Sequence, residues 1–339
     1  MLLHSVLLHS VLLHSVLLHS VLLHSVLLHS VLLHSVLLES VPLQPVLLQP
    51  MGPTAVLLLS CPDQPGVVAS VADFVWRNGG NIIHAEQHTD LSQAGADQPG
   101  LFFQRVEFEL SGFAVQRQDL AEAFQPIADQ FDMDVLIRCS DELPRLAVLA
   151  SKAPHCLIDL LSRWHMGELA AQLVLVASNH PDHRELCQFF GVPFHELPVG
   201  DSPAEQDQKM QDLLRSMSIE QIVLARYMRV LSPEFVQQWP NRIINIHHSF
   251  LPAFVGANPY RQALERGVKV IGATAHFVTE DLDKGPIIAQ DVAPISHRDG
   301  VVELTRKGRD LEVVVLARAL EAHLDHRVLP YGNRTVVFH

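Results

Sequence analysis

Between Arg145 and Ile246 the chain alternates short apolar runs with amphipathic stretches, and that alternation limits the fold more than any other feature. Arg145–Ser151, Leu173–Asn179, Phe194–Leu197, Gln221–Tyr227 and Arg242–Ile246 read as strands. Helical stretches at His155–Glu168, Pro181–Phe190, Pro203–Met217 and Pro233–Trp239 separate them. Apolar strands regularly spaced by helices argue for a doubly wound, mostly parallel α/β sheet. A helix (Tyr260–Arg266), a strand pair expected at the sheet edge (Val268–Val278 and Ile287–Pro294), a long helix from about Val301 to Arg327 and a closing strand (Thr335–Phe338) complete this half, residues 145–339.

The last parallel run delivers polar side chains to the sheet's carboxyl edge. Ile243-Ile244-Asn245-Ile246 gives way to His247-His248-Ser249-Phe250-Leu251-Pro252, and His276 is followed by Asp283-Lys284-Gly285-Pro286. Asn, His and Asp are the groups needed to hold an oxyanion, carry a proton and position a nucleophile. Each has a bland reading when taken alone. Asn245 suits a structural role, His276 a satisfied core histidine, and Asp283 a turn. On a strand, His247 and His248 point to opposite faces and make a poor metal pair. Taken together, N-x-H followed by H-x6-D-x-G-P is hard to explain as packing.

Residues 54–139 form a second unit. Ala55–Leu59 reads as a strand, Val67–Asn78 as a helix stopped by Gly79-Gly80, and Asn81–Thr89 and Leu101–Leu110 as strands. Asp119–Phe131 is a second helix and Met133–Arg138 a last strand. The order βαββαβ is that of a ferredoxin-like sheet. Glu142–Pro144 links it to the α/β half.

Residues 1–50 read as pentads of the type VLLHS, decaying to VLLES, VPLQP and VLLQP. Five residues advance about 140° beyond a full helical turn, so no apolar stripe forms. The run never reaches ~18 uninterrupted apolar residues and lacks a signal-peptide pattern. It is expected to lie outside the fold, either because Met51 is the natural start or because residues 1–50 are a dispensable extension.

Net charge is −13, and no concentrated basic face is evident, which speaks against nucleic-acid binding. No membrane span is expected. The four cysteines form no C-x-x-C pair, as in a cytoplasmic enzyme with reduced thiols and no metal centre. The turn after the first α/β strand reads Ser151-Lys152-Ala153-Pro154-His155, with none of the glycines of a nucleotide cradle.

Two resemblances sharpen these expectations. Asp63-Gln64-Pro65-Gly66-Val67-Val68 and Gly80-Asn81-Ile82 resemble an ACT domain. That implies a regulatory unit binding a small amino-acid effector at Asp63, Gly66 and Asn81, and homo-oligomers through ACT pairing. Asn245-Ile246-His247, Ser249-x-Leu251-Pro252, Gly272-Ala273-Thr274-Ala275-His276 and Asp283-x-Gly285-Pro286-Ile287-Ile288 resemble the folate-dependent formyl transfer domain. With Leu224-Ala225-Arg226-Tyr227-Met228-Arg229-Val230-Leu231 and Tyr331-Gly332-Asn333-Arg334, residues 54–339 are similar to the ACT-containing branch that hydrolyses 10-formyltetrahydrofolate.

The resemblance implies release of formate and tetrahydrofolate, supplying formate for purine biosynthesis and balancing one-carbon folate pools, without cofactor or metal. Asn245 would donate to the oxyanion. His247 would add charge there and protonate the leaving nitrogen. Asp283 would keep His247 charged and orient or deprotonate the water. Met228, Arg229, Val230, Leu231, Thr274, His276 and Gly285 would bind substrate. Alternatives are transfer to a small amine and a non-catalytic folate or amino-acid sensor. Related transferases carry a glycine-rich loop for an acceptor phosphate or a basic tRNA-binding C-terminal domain. Neither is expected here, which favours water as the attacker. Relatives usually have Arg where Asn258 stands, which removes a cation near the site mouth.

Overall fold

The computed structural model describes residues 52–92, 99–198, 202–253 and 259–339. The pentad repeat and Asn258 lie outside the described residues.

The N-terminal elements are β1 (Thr54–Pro62), α1 (Val67–Arg77), β2 (Ile82–Asp90), β3 (Leu101–Glu109), α2 (Leu120–Phe131) and β4 (Asp134–Cys139). The four strands form an antiparallel sheet in the order β2-β3-β1-β4, the βαββαβ arrangement that the pattern predicts. Period-2 alternation in β1 sends Ala55, Leu57 and Leu59 to one face, where they meet Val67, Val71 and Phe74 of α1 and Leu120 and Phe124 of α2. Val56 and Leu58 point to the other face with Phe103.

The C-terminal elements begin with β5 (Arg145–Ala150), α3 (His155–His165), β6 (Gln172–Ser178), α4 (Arg184–Phe189), β7 (Phe194–Glu196) and α5 (Pro203–Ser216). They continue with β8 (Gln221–Ala225), α6 (Pro233–Gln237), β9 (Ile243–His247), α7 (Pro259–Glu265), β10 (Val270–Phe277), β11 (Ile287–Pro294) and α8 (Val301–Leu324). The sheet order is β11-β10-β9-β8-β5-β6-β7. Strands β5 to β9 pair in parallel, while β10 and β11 close one edge antiparallel. The chain runs outward from β5 through β6 to β7, then returns to the other side at β8. The strand order thus reverses between β5 and β8, the place where open α/β sheets leave a crevice.

A hydroxyl bridges that switch point. Ser151 Oγ accepts from the Met228 N–H at 3.0 Å and donates to Asn179 Oδ1 at 2.8 Å. The turn after β5 is therefore built from side-chain hydrogen bonds.

The chain closes with a hairpin, β12 (Val328–Tyr331) and β13 (Arg334–Val337), where the sequence pattern suggested a single strand. Gly332, with φ +52°, makes the connection, and this short turn hides the first strand from a periodicity reading. The hairpin and Phe338 cover Val56, Leu58 and Phe103 on the back of the N-terminal sheet. Arg105 of β3 donates to the carbonyls of Asp325 and His326, just past the end of α8. Among the described residues, no helix is long and apolar enough to cross a membrane.

Candidate active site

The antiparallel register of β9 and β10 assembles the polar centre. Asn245 pairs with His276, and His247 with Thr274. Directly opposed residues share a face, so Asn245, His247 and His276 all project to the same side. Asn245 Nδ2 stands 3.2 Å from His276 Nε2. His276 Nδ1 lies 2.8 Å from the Phe277 carbonyl, which can only accept, so Nδ1 carries the proton and Nε2 accepts from Asn245. Burial pushes the His276 imidazole below its ordinary range, which keeps that neutral tautomer.

Asp283 comes from the loop between β10 and β11. Its Oδ1 lies 3.3 Å from His247 Nδ1 and 3.8 Å from His276 Nε2. The His247 contact holds its carboxyl below the usual carboxylate range and outweighs the opposing effect of burial. The backbone of Asp283 is left-handed, with φ +56°, a conformation Asp tolerates better than most residues. Two residues on, a Cβ at Gly285 would fall 1.8 Å from the Phe277 carbonyl oxygen. Glycine therefore lets this loop lie against β10. With Nδ1 turned to Asp283, His247 leaves a buried Nε2 without a partner among the described residues.

A cavity of about 600 Å³ opens over this centre. Asn245, His247, His248, His276 and Asp283 line one part, and Met228 to Leu231 with Val278 and Leu282 line another. Met228, Val230 and Leu282 expose 63%, 70% and 60% of their surface, a set of apolar side chains left uncovered. Arg229 borders the same wall, whereas Leu231 is mostly buried beside Phe235 and Trp239.

Three expectations need correction. Thr274 does not reach the cavity. It is fully buried, and its hydroxyl joins the Leu251 N–H, the Ser249 carbonyl and Gln290 Nε2, bracing the turn after β9. Gly285 acts through close backbone packing and is likewise absent from the cavity wall. His247 and His248 do not face opposite sides, because β9 ends at His247. The following turn brings the two rings to 5.2 Å, and both border the cavity. Asp63 and Gly66 sit beside the Leu101 end of β3, whereas Asn81 sits beside the Glu109 end. Nine residues of strand, roughly 26 Å, separate the two ends. One chain therefore does not unite these three residues.

The pattern also missed a buried network at the cavity's polar end. Glu312 of α8 is 1% exposed, with His155 Nε2 and Tyr260 Oη each 2.6 Å from its carboxylate oxygens and Arg226 Nε at 3.3 Å. Burial pushes its carboxyl up, but the His155 hydrogen bond, the Arg226 charge and the Tyr260 hydroxyl outweigh it and hold it low. A signal was present: Leu304, Gly308, Glu312, Val315 and Ala319 form a buried stripe at helical spacing, and one carboxylate interrupts it. His155, Cys156 and Glu312 have the spacing of a metal site. The chemistry is unsuitable, because Arg226 already pairs with the carboxylate and burial keeps the thiol protonated.

A family model described as "Formyl transferase" matches residues 144–320. A formyltetrahydrofolate deformylase of Synechocystis is 54% identical over 286 residues, covering 84% of this chain and 98% of the relative. The chain belongs to the formyltetrahydrofolate deformylase family. A deformylase of Bacillus subtilis is 48% identical, over 83% of this chain and 93% of its own length. A crystal structure of the Pseudomonas syringae deformylase superposes with a TM-score of 0.82 at 41% identity, covering 92% of this chain and 100% of that one. The likeness to these deformylases extends well beyond residues 144–320.

Proposed function

We propose that this chain hydrolyses 10-formyltetrahydrofolate to formate and tetrahydrofolate. The observation that carries this reading is the meeting of Asn245, His247 and Asp283 at the polar part of one cavity, beside an apolar wall for the pterin. A volume of about 600 Å³ falls within the range that takes a ligand of this size.

Water adds to the formyl carbon as His247 Nε2 takes its proton, and the carbonyl oxygen becomes an oxyanion. The Asn245 amide donates to it, and the His247 imidazole lies beside it with Nε2 free to donate. Asp283, held low by His247, is a weak base, so its main contribution is to orient His247 and the water. Collapse breaks the C–N bond, and the nitrogen leaves with a proton from His247. One water is consumed, and formate, the N–H of tetrahydrofolate and one proton are produced. No cofactor is needed for these steps.

Cytoplasmic placement suits the four cysteines, all free and buried. We assign the βαββαβ unit an ACT-type regulatory role with a small amino-acid effector. Because Asp63 and Asn81 lie at opposite ends of β3, a site using both needs two chains, and a homo-oligomer supplies them. The formate released and the folate freed suit purine synthesis and one-carbon balance.

The test is formate release from 10-formyltetrahydrofolate by the purified full chain, with and without an amine acceptor and after treatment with a chelator. Hydrolysis predicts equal rates in all three and loss of activity in Asp283→Asn. Turnover only with an acceptor points to transfer. Tight folate binding without turnover points to a sensor.

A further inference from the structure

We propose that the polar end of the cavity is a subsite for a small carboxylate, the formate that the reaction releases, which Arg226 receives with its guanidinium. Naming formate rests on the hydrolytic reading above; the carboxylate subsite itself does not.

Arg226 is fixed by a built arrangement. Its backbone takes φ +59° at the end of β8, a conformation that bulky side chains avoid and that the surrounding fold must hold in place. Glu312 stands 3.3 Å from Nε and is itself anchored by His155 and Tyr260. One helical turn earlier, a Cβ at Gly308 would lie 2.0 Å from the Tyr260 hydroxyl, so glycine leaves the space for that ring. The pair is an ion pair through Nε, which makes no hydrogen bond of its own. Among the described residues, no acceptor meets the terminal nitrogens of Arg226, which borders the cavity. A guanidinium carries five N–H donors in a planar fork that matches the two oxygens of a carboxylate.

The position suits a departing anion. Formate forms between Asn245, His247 and Asp283, and the Asp283 carboxylate repels it. The His248 ring lies between the two clusters, 5.2 Å from His247 and 6.1 Å from Tyr260. Burial, followed by the charges of Arg226 and His247, pushes its imidazole down to about 4, so it stays neutral at pH 7. Arg229, the other arginine of the lining, lies between Met228 and Val230 on the apolar wall. Arg226 is therefore the arginine of the lining on the side of His248 and Tyr260. Glu312 offsets much of its charge, and formate has three heavy atoms, so affinity no tighter than about 1 mM is expected. Such a subsite draws formate off the catalytic side chains and still lets it leave.

The experiment measures Tm of the full chain in sodium formate against sodium chloride at equal ionic strength. Wild type should gain about 2–4 °C over chloride when formate reaches ten times its Kd. Arg226→Met alone strands a buried Glu312 charge, so the paired variant Arg226→Met/Glu312→Gln is used to keep the network neutral. It should lose the formate-specific gain. Arg226→Lys keeps the charge but not the fork, and should bind formate at least tenfold more weakly; it decides the matter if the paired variant does not fold. A wild type that hydrolyses substrate but shows no gain over chloride overturns the subsite, as does an undiminished gain in the variants. A gain dependent on Arg226 in a chain that releases no formate keeps the anion site and removes the hydrolytic reading.

Discussion

His276 fixes the amide of Asn245: the two residues pair across β9 and β10, with Asn245 Nδ2 3.2 Å from His276 Nε2. Because His276 gives its Nδ1 proton to the Phe277 carbonyl, its Nε2 can only accept. One amide hydrogen of Asn245 is thereby committed, and the group's orientation is set with the other hydrogen free for the cavity.

Removing the amide donor with Asn245→Ala should lower kcat by about 10²- to 10³-fold, the usual cost of one oxyanion donor. His276→Leu should lower kcat less. Its effect should nearly vanish in the Asn245→Ala background, because the histidine acts through that amide. His276→Gln, which can still accept through Oε1, should recover part of the loss. Steady-state kinetics on the single and double variants measure this coupling. Additive losses would mean that His276 acts independently of Asn245.

Gly285→Ala should disturb the Asp283 loop without touching substrate. Its Cβ would overlap the Phe277 carbonyl oxygen at 1.8 Å, so the loop must retreat from β10. That movement carries Asp283 away from His247, now 3.3 Å apart. Stability should fall by about 1–3 kcal/mol, as for other overpacked sites, and kcat should fall more than KM changes. Chemical denaturation and kinetics on the same preparation separate the two effects.

The alternation of strands and helices was legible because a buried parallel strand and an amphipathic helix write different periods. Asn245, His247 and Asp283 were legible because polar residues stand where an apolar run ends. Thr274 was misassigned because adjacency in a motif does not reveal that a neighbouring turn covers the side chain. Glu312 was missed for another reason. Its partners His155, Arg226 and Tyr260 come from α3, the end of β8 and α7, and no local pattern announces that three distant elements converge on one carboxylate.

Thr274→Val tests the corrected role of that residue. Valine keeps the shape but removes a hydroxyl that joins the Ser249 carbonyl, the Leu251 N–H and Gln290 Nε2. Leaving those buried groups unmatched should cost about 1–3 kcal/mol of stability. Substrate KM should stay within about twofold, since the side chain does not border the cavity. A large rise in KM with unchanged stability would return Thr274 to the binding surface.

Mild acid should destabilise the fold before its carboxylates are protonated. Burial pushes His323, which packs against Phe277, and His326, which lies beside Arg105, each down to about 4. In the unfolded chain both titrate near ~6.5. Between these values the unfolded state binds protons that the folded state refuses, so stability rises with pH across the window and is lost as pH falls from about 6.5 toward 4. Each histidine contributes at most about 1.4 kcal/mol per pH unit. Asp283 and Glu312, whose carboxyls are held low, add their losses at still lower pH, as protons reach the depressed folded values. Tm measured from pH 7 to pH 5 should therefore decline, and His323→Leu should flatten that decline while the ring's apolar contact with Phe277 is largely kept. An unchanged slope in that variant would show that His323 is charged in the native state.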